Sequence, residues 1–271
     1  MKKKDFKILF RSRSWEFMKN YGPRALGKPE ATYIWRGRPI FYRPGSSDPD
    51  CIYKILLKGG RKGDYWVPEV VEPEVVLDIG ANIGTASLYF AHRFPKAQVH
   101  AFEPMPQNFS LLERNVSPFP RIRAHPVALG ETSGKAEISL SAFDGEGNYG
   151  GFSFDYDEKR DLEEVRMERP SEYLPAVGIS RADLIKIDTE GHEYKVLRSF
   201  DPELLSRVRW IIGELHGVDD FLLLDYLSEW FDISLHKTLK KSLCMFNACN
   251  KTFLAKVPTP HPMVVLGHHR G

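Results

Sequence analysis

Residues 75–84 constrain the fold more than any other stretch. Apolar residues lead into Asp78, a turn with Gly80 and Gly84 follows, and a helix-compatible run continues to Arg93. A buried strand that ends in a glycine-rich turn and feeds a helix is how open α/β sheets build nucleotide sites. Glycine lacks a Cβ atom, so the backbone can turn tightly there and approach a ligand. Asp78, near the strand's end, is expected to reach polar groups of a cofactor on that turn.

Strands and helices alternate from residue 71 onward. Strands are predicted at 75–79, 98–102, 122–129, 184–187, 208–215, 231–235, 244–248 and 252–257. Helices are predicted at 85–93, 106–115, 191–197 and 219–230. A βαβαβ run of this kind implies a parallel sheet with right-handed crossovers. The chain is therefore expected to form an α/β fold, a Rossmann-like sheet.

Length and composition indicate a globular protein with one large core. The chain has 271 residues, 42% of them hydrophobic and 27% charged, and its net charge of +2 is too mild to indicate a nucleic-acid partner. Three cysteines form no even disulfide framework and lack zinc-ligand spacing, so free thiols in a reducing compartment are expected. No apolar run has the length of a membrane span or signal-peptide core. A cytoplasmic location is therefore predicted.

Residues 1–70 form an irregular N-terminal extension. A hairpin is predicted at 31–35 and 39–43, and a helix at 48–57. This extension is either a lid over the site or a structural addition to the sheet, and the sequence does not separate the two. Its first residues are basic and interleaved with aromatic side chains. They are interpreted either as a surface that contacts an anionic membrane or as a helix docked on its own domain, and the second interpretation is favoured.

Two further segments lie outside the alternation. Residues 131–182 interrupt it. Within them, 135–140 alternates like an exposed strand, and the glycine-rich loop 144–151 indicates mobility or close approach to a ligand. Residues 258–271 are predicted to be a tail. The expected organisation is an N-terminal cap (1–70), a cofactor-binding domain (71–257) and this tail.

The turn after the first strand of the alternation favours one nucleotide-derived cofactor over another. A dinucleotide requires G-x-G-x-x-G, because its pyrophosphate lies against the helix N-terminus, and Asn82 stands where the middle glycine would be. S-adenosylmethionine has no phosphate and tolerates this Asn. The cofactor is expected to bind the turn through Asp78 and the residues that follow. Those residues are Gly80, Ala81, Asn82 and Gly84. Glu103, at the end of the next strand, is expected to accept hydrogen bonds from both ribose hydroxyls.

Three segments resemble the FkbM family of S-adenosylmethionine-dependent methyltransferases. They are residues 75–84, the A-F-E-P run at 101–104 and the D-L-I-K-I-D-T-E-G-H-E run at 183–193. Residues 43–48 and 210–216 also resemble that family, so the similarity covers roughly residues 40–217. The resemblance implies a seven-stranded methyltransferase sheet with helices on both faces. It also implies methylation of a hydroxyl oxygen, often on a sugar or polyketide-like product.

Candidate catalytic residues follow two later strands of the predicted sheet. Asp188, Glu190 and His216 are expected at the carboxyl ends of parallel strands, where such sheets form their ligand crevice. A hydroxyl is a poor nucleophile, so a base or an adjacent cation assists its reaction. Asp188, Glu190 and Glu193 are alternatively expected to hold magnesium or manganese, which would acidify the acceptor.

Three functions remain open from the sequence. The first is an O-methyltransferase acting on a small-molecule or carbohydrate acceptor. The second is an NAD(P)-dependent oxidoreductase or epimerase on the same sheet, against which the missing G-x-G-x-x-G counts. The third is a non-catalytic module that binds the cofactor. The identity of the acceptor and the oligomeric state do not follow from the sequence.

Overall fold

The computed structural model describes residues 3–22, 25, 27–58, 63–139, 162–217, 219–237 and 244–255. The loop at 144–151 and the tail at 258–271 lie outside them. Strands, in chain order, are β1 (Ala31–Trp35), β2 (Arg38–Tyr42), β3 (Val75–Ile79), β4 (Gln98–Phe102), β5 (Ile122–His125), β6 (Ala128–Leu129), β7 (Gly134–Ser139), β8 (Leu162–Glu168), β9 (Leu184–Ile187), β10 (Trp210–Leu215), β11 (Phe231–Lys237) and β12 (Cys244–Asn250). Helices are α1 (Lys3–Ser12), α2 (Trp15–Lys19), α3 (Asp48–Cys51), α4 (Thr85–Arg93), α5 (Pro106–Val116), α6 (Pro170–Ala176), α7 (Glu193–Arg198), α8 (Pro202–Ser206), α9 (Asp220–Ser228) and α10 (Lys251–Leu254). A π-helical turn, Ile52–Leu57, continues α3.

Seven of these strands form the central sheet, in the order β11-β12-β10-β9-β3-β4-β5. The neighbouring pairs from β10 to β5 are parallel, whereas β12 is antiparallel to both β10 and β11. The strand order reverses between β3 and β9, and a crevice at such a point binds the ligand in open α/β sheets. The predicted seven-stranded α/β sheet is confirmed.

Apolar side chains cover both faces of this sheet. Val76 and Val99 belong to a core shared with α4 and α5. Leu77 and Ile185 belong to a second core shared with α6, α7, α8 and α9. A sheet buried on both faces needs apolar residues in succession rather than alternation, which explains the continuous hydrophobic runs in its central strands.

The N-terminal section packs into the first of these cores. Ile8, Phe17 and Tyr42 are buried there beside Val76. Asn115 of α5 fixes the β1–β2 hairpin, since its Oδ1 accepts from the N–H of Phe41 at 2.7 Å and its Nδ2 donates to the Phe41 carbonyl at 3.0 Å. The predicted hairpin is confirmed.

Two predicted strands at the edges of the alternation are wrong. Residues 122–129 were expected to form one strand, but Pro126, which has no N–H to donate, separates β5 from β6. β6 instead joins β7 and β8 in a second, three-stranded sheet that the sequence analysis does not predict. Residues 252–257 were expected to be a strand, but Asn250 caps α10 by accepting from the N–H groups of Thr252 and Phe253.

No helix among the residues described above combines the length and apolar character needed to cross a membrane.

Candidate active site

A cavity of about 290 Å³ opens at the carboxyl ends of β3, β4, β9 and β10. The sheet contributes Gly80, Glu103, Asp188 and Glu214 to its lining. The N-terminal section forms another wall, with Ser47, Asp50, Cys51, Lys54, Ile55, Asp64 and Tyr65. The extension therefore borders the site as well as extending the core.

The turn after β3 needs its glycines for packing. Gly80 and Gly84 have φ angles of +75° and +88°. A Cβ on Gly80 would lie 1.9 Å from the carbonyl oxygen of Asp188, and one on Gly84 would lie 2.8 Å from Leu112 Cδ1. The glycines thus allow the turn to approach the end of β9 and helix α5, in addition to any approach to a ligand.

Backbone amides of this turn already have acceptors within the protein. The N–H groups of Gly80 and Ala81 donate to the Phe102 carbonyl at 3.1 and 2.9 Å. The N–H of Asn82, whose φ is +49°, donates to Glu103 Oε2 at 2.8 Å. These three amides are therefore not free to hold a pyrophosphate, which argues against a dinucleotide. A cofactor on this turn would have to contact groups other than these amides.

Glu103 is held from three sides and still lines the cavity. Besides Asn82, the N–H of Met105 and the side-chain amide of Asn108 donate to its Oε1, at 3.0 and 3.3 Å. Burial raises the pKa of Glu103, and the amides of Met105 and Asn82 partly offset that rise. A carboxylate has roughly four acceptor positions, so three protein donors leave about one, rather than the expected two, for a ribose.

Asn82 also presents an acceptor toward a ligand. It lines the cavity, and among the described residues its buried Oδ1 has no hydrogen-bond partner. A buried amide oxygen is costly unless it is paired. A donor group of a bound cofactor would satisfy it.

Asp78 lies behind the cavity and supports Lys186, which lines it. Asp78 is fully buried, its Oδ2 accepts from the Ser87 hydroxyl at 2.5 Å, and its Oδ1 lies 3.2 Å from Lys186 Nζ. Lys186 also donates to the Gly80 carbonyl at 2.6 Å. Burial alone would lower the pKa of Lys186, but the charges of Asp78 and Asp188 outweigh it and raise that pKa. Asp78 is not among the residues that line the cavity, and its predicted part in cofactor binding stays a prediction.

Asp188 stands where β9 ends and faces the cavity. Its Oδ2 accepts a hydrogen bond from the Tyr65 hydroxyl at 2.7 Å and lies 4.0 Å from Lys186 Nζ. Its backbone N–H donates to the Ile79 carbonyl, which fixes the strand end against β3. The position agrees with the one expected from the sequence.

His216 is surrounded by four carboxylates. Its Nδ1 donates to Glu193 Oε1 at 3.2 Å, and its Nε2 lies 3.5, 3.6 and 3.7 Å from oxygens of Glu214, Glu190 and Asp188. Burial alone would lower the pKa of His216, but these acids outweigh it and raise that pKa to about 11. This raised pKa favours a protonated His216 at neutral pH, as the cation of the cluster, and its predicted catalytic role stays a prediction.

The acids around His216 have different environments. Glu190 and Glu214 line the cavity; burial and the charge of Asp188 raise the pKa of both, that of Glu190 to about 8. Glu193 is instead directed into its own loop, where it accepts from the N–H groups of Thr189 and Gly191. Burial would raise the pKa of Glu193, but the hydrogen bond and the charge of His216, together with the Thr189 N–H, lower it.

The potential metal ligands that lie close together differ from the expected set. Ligand atoms of Asp188, Glu214 and His216 lie within 4.8 Å of one another. Glu193, which was expected to be a ligand, instead accepts hydrogen bonds from the Thr189 N–H and from His216. The geometric set therefore includes a nitrogen, whereas the expected set had oxygen alone.

Sequence reasoning missed Lys186 and Tyr65 as site residues. One signal for Lys186 was present, because a lysine in a strand that is otherwise apolar needs a buried partner. Tyr65 gave no local signal, since its partner is 123 residues away.

The fold and the cavity together define a Rossmann-like, cofactor-binding α/β protein. A family model described as "Methyltransferase FkbM domain" matches residues 78–238, which is more than half of the chain. The chain belongs to this family of S-adenosylmethionine-dependent methyltransferases, as the resemblance in its sequence predicts.

Three relatives show how far the similarity extends. The AMB antimetabolite synthetase AmbE of Pseudomonas aeruginosa is 29% identical over 186 residues, which are 56% of this chain but 9% of AmbE. The hexuronic acid methyltransferase AglP of Haloferax volcanii is 30% identical over 197 residues, 72% of each chain. The 2-O-methyltransferase NoeI of Sinorhizobium fredii is 30% identical over 152 residues, 52% of this chain and 62% of NoeI.

Proposed function

We propose that this protein transfers a methyl group from S-adenosylmethionine to a hydroxyl oxygen of a small molecule, sugar or glycan. The observation that carries this proposal is the cavity, which has Glu103 and Asn82 on one side and Asp188, Glu190 and Glu214 on the other. It thus offers acceptors for a nucleoside beside carboxylates for an acceptor hydroxyl. The names of AglP and NoeI support a carbohydrate acceptor.

The residues present fit the cofactor. Glu103 Oε2 would accept from a ribose hydroxyl, and Asn82 Oδ1 from a donor on the amino acid part. Gly80, Ala81 and Gly84 shape the turn, while Asp78 acts through Lys186. S-adenosylmethionine, when bound, supplies an electrophilic methyl group on a sulfonium. The occupied turn amides support this phosphate-free cofactor over NAD(P).

The carboxylates at the strand ends would orient and deprotonate the acceptor. Methyl transfer is an in-line displacement, so holding the hydroxyl oxygen in line provides much of the rate. Asp188, fixed by Tyr65, is the proposed orienting group, and Glu190 is the proposed proton acceptor beside it. His216 keeps the acids together through its positive charge.

A divalent cation is a second arrangement that one observation favours. Asp188, Glu214 and His216 would hold it, with His216 deprotonated, and a mixed set of nitrogen and oxygen ligands suits manganese or zinc better than magnesium. Such a cation would acidify the hydroxyl. Dialysis against a chelator tests it: full loss of activity that manganese restores supports a metal, and unchanged activity excludes one.

The proposed activity is tested by ligand binding and by transfer. S-adenosylhomocysteine is expected to raise the melting temperature, because a ligand that binds the native state stabilises it. NADH is expected to leave the melting temperature unchanged. Labelled S-adenosylmethionine is then incubated with a panel of sugars and glycans, and Asp188→Asn serves as the inactive control that still binds S-adenosylhomocysteine. A shift with NADH alone would support the oxidoreductase instead. Cofactor binding without transfer to any hydroxyl would support the non-catalytic module.

The proposed location remains the cytoplasm. Cys51, Cys244 and Cys249 are all free thiols, which supports a reducing compartment.

A further inference from the structure

Helix α1 is docked on the protein by one side only. Ile8 and Ser12 are buried, and the Tyr33 hydroxyl donates to the Ser12 carbonyl at 3.0 Å. The helix contacts the π-helical turn Ile52–Leu57 that borders the cavity. The predicted docking of this segment on its own domain therefore accounts for one side of the helix.

The opposite side of the helix combines exposed aromatic rings with cations. Phe6 and Phe10, one helical turn apart, are 62% and 75% exposed. Lys4, Lys7 and Arg11 follow on the adjoining side of the helix and are also exposed. We name these five residues the basic aromatic face. Trp15, at the start of α2, adds a third large exposed ring, with 52% of its surface accessible.

The cations lie at the border of the rings and the body of the protein. Lys4 Nζ is 4.9 Å from the centroid of the Tyr21 ring, and the Arg11 guanidinium carbon is 5.6 Å from that of Tyr53. The charged ends of these two side chains thus lie over rings of the protein body, at the edge of the exposed surface, and both residues remain exposed to solvent. Such side chains can reach the headgroups while the phenylalanines enter the layer below.

Charge is distributed unevenly along the chain. Residues 1–19 contain seven Lys and Arg against two acidic residues, whereas the whole chain has a net charge of only +2. The remaining residues are therefore net acidic. A negatively charged surface would attract the protein by this face and repel the rest of it, which orients the molecule.

We propose that the basic aromatic face docks on an anionic phospholipid membrane. Aromatic rings on one side of a helix, bordered by Lys and Arg, are the features by which interfacial helices enter the headgroup region. Anionic lipids attract the cations, and this attraction weakens with salt. A second copy of the chain fits less well, because a two-fold contact through α1 would bring the same cations together.

Vesicle co-sedimentation of the full chain tests this inference. Binding is expected to vesicles of phosphatidylcholine mixed with phosphatidylglycerol and not to phosphatidylcholine alone, and it should weaken as NaCl is added. The double variants Phe6→Ser/Phe10→Ser and Lys4→Glu/Lys7→Glu are each expected to bind at least about tenfold more weakly. Because all four side chains are exposed, the melting temperature of both variants should stay unchanged.

Phe221→Ser is the matched control, since Phe221 is 83% exposed on α9 and should not contribute. Equal loss of binding in this variant would contradict the assigned face. Absence of binding to the anionic vesicles would overturn the proposal. So would concentration-dependent self-association that Phe6→Ser/Phe10→Ser abolishes, because the face would then be a contact between copies.

Discussion

The Tyr65 hydroxyl donates a 2.7 Å hydrogen bond to Oδ2 of Asp188. Tyr65 belongs to the N-terminal section and Asp188 to the end of β9, so this bond joins the two walls of the cavity. Burial and the neighbouring charge of Asp188 raise the pKa of Tyr65 well above its ordinary value. Tyr65 therefore remains a protonated donor, and it fixes the carboxylate that we propose orients the acceptor.

Tyr65→Phe is expected to lower kcat by about tenfold to a hundredfold, because a hydrogen bond to a charged group contributes roughly 1.5–3 kcal/mol. KM for S-adenosylmethionine should change little, since no contact of Tyr65 with the cofactor motifs is proposed. Steady-state kinetics on an acceptor found in the panel measures both values. A positioning role predicts this separation of kcat from KM, whereas a general loss of packing would lower thermal stability as well.

Tyr89→Phe is the matched control for that variant. Tyr89 is also buried, but among the described residues its hydroxyl has no hydrogen-bond partner. Removing it should leave kcat unchanged. A fall in kcat in Tyr89→Phe equal to that in Tyr65→Phe would contradict the assigned role of the Tyr65 hydroxyl.

Lys186→Met is expected to destabilise the fold by about 3–5 kcal/mol, because it leaves the buried charge of Asp78 without its partner. Urea unfolding measures the change. Lys135→Met is the control: Lys135 pairs with Glu164 at a similar distance, 2.7 Å, but both side chains are largely exposed. Exposed pairs contribute little to stability, because water screens their charges. An equal loss of stability in the two variants would show that burial does not strengthen the contribution of the Lys186–Asp78 pair to the free energy of unfolding.

Glu103→Gln is expected to weaken binding of S-adenosylhomocysteine by about tenfold or more, because the amide cannot replace both acceptor oxygens of the carboxylate. Isothermal titration calorimetry gives the affinity. Glu113→Gln, on the exposed side of α5, should bind like the unchanged protein. Unaltered affinity in Glu103→Gln would remove Glu103 from the cofactor site.

Local patterns predicted which turns and strand ends border the cavity better than they predicted the partners of the side chains there. Residues 75–84 and Glu103 belong to strand-and-turn signals a few residues long, and parallel strands bring their carboxyl ends together in any such sheet. The pairs Asp78–Lys186 and Tyr65–Asp188 join residues far apart in sequence, so no short window contains both partners. The proton state of His216 likewise depends on acids from more than one element, and the sequence alone left it open as a base.

Errors in the fold have a similar origin. The run 122–129 is apolar enough for one strand, and only the missing N–H of Pro126 indicates a break. The strand β8 was not predicted because its sequence, L-E-E-V-R-M-E, is mostly polar. Pairing with β6 and β7, rather than an apolar pattern, keeps it extended.

A buried pair of imidazoles predicts how the fold responds to acid. His100 Nδ1 and His125 Nε2 are 3.1 Å apart, and His125 Nδ1 lies 3.3 Å from the Tyr173 hydroxyl. Burial first, and then neighbouring positive charge, lowers the pKa of each from 6.5 to about 4. The folded protein thus keeps both rings neutral at pH values where the unfolded chain protonates them.

Because the unfolded state binds more protons, the free energy of unfolding should fall as pH decreases from 6.5 toward about 4. Above pH 6.5 these two histidines should not make the free energy of unfolding depend on pH. Each pKa unit corresponds to about 1.4 kcal/mol, so the loss at the acid end is on the order of a few kcal/mol for the two rings together, because their mutual repulsion counts once and solvent screens part of it. Urea unfolding at several pH values measures the slope. His100→Gln/His125→Gln should reduce that slope, even if it lowers stability at neutral pH, whereas His236→Gln, exposed on β11, should not. An unchanged slope in the double variant would assign the acid sensitivity to the carboxylates.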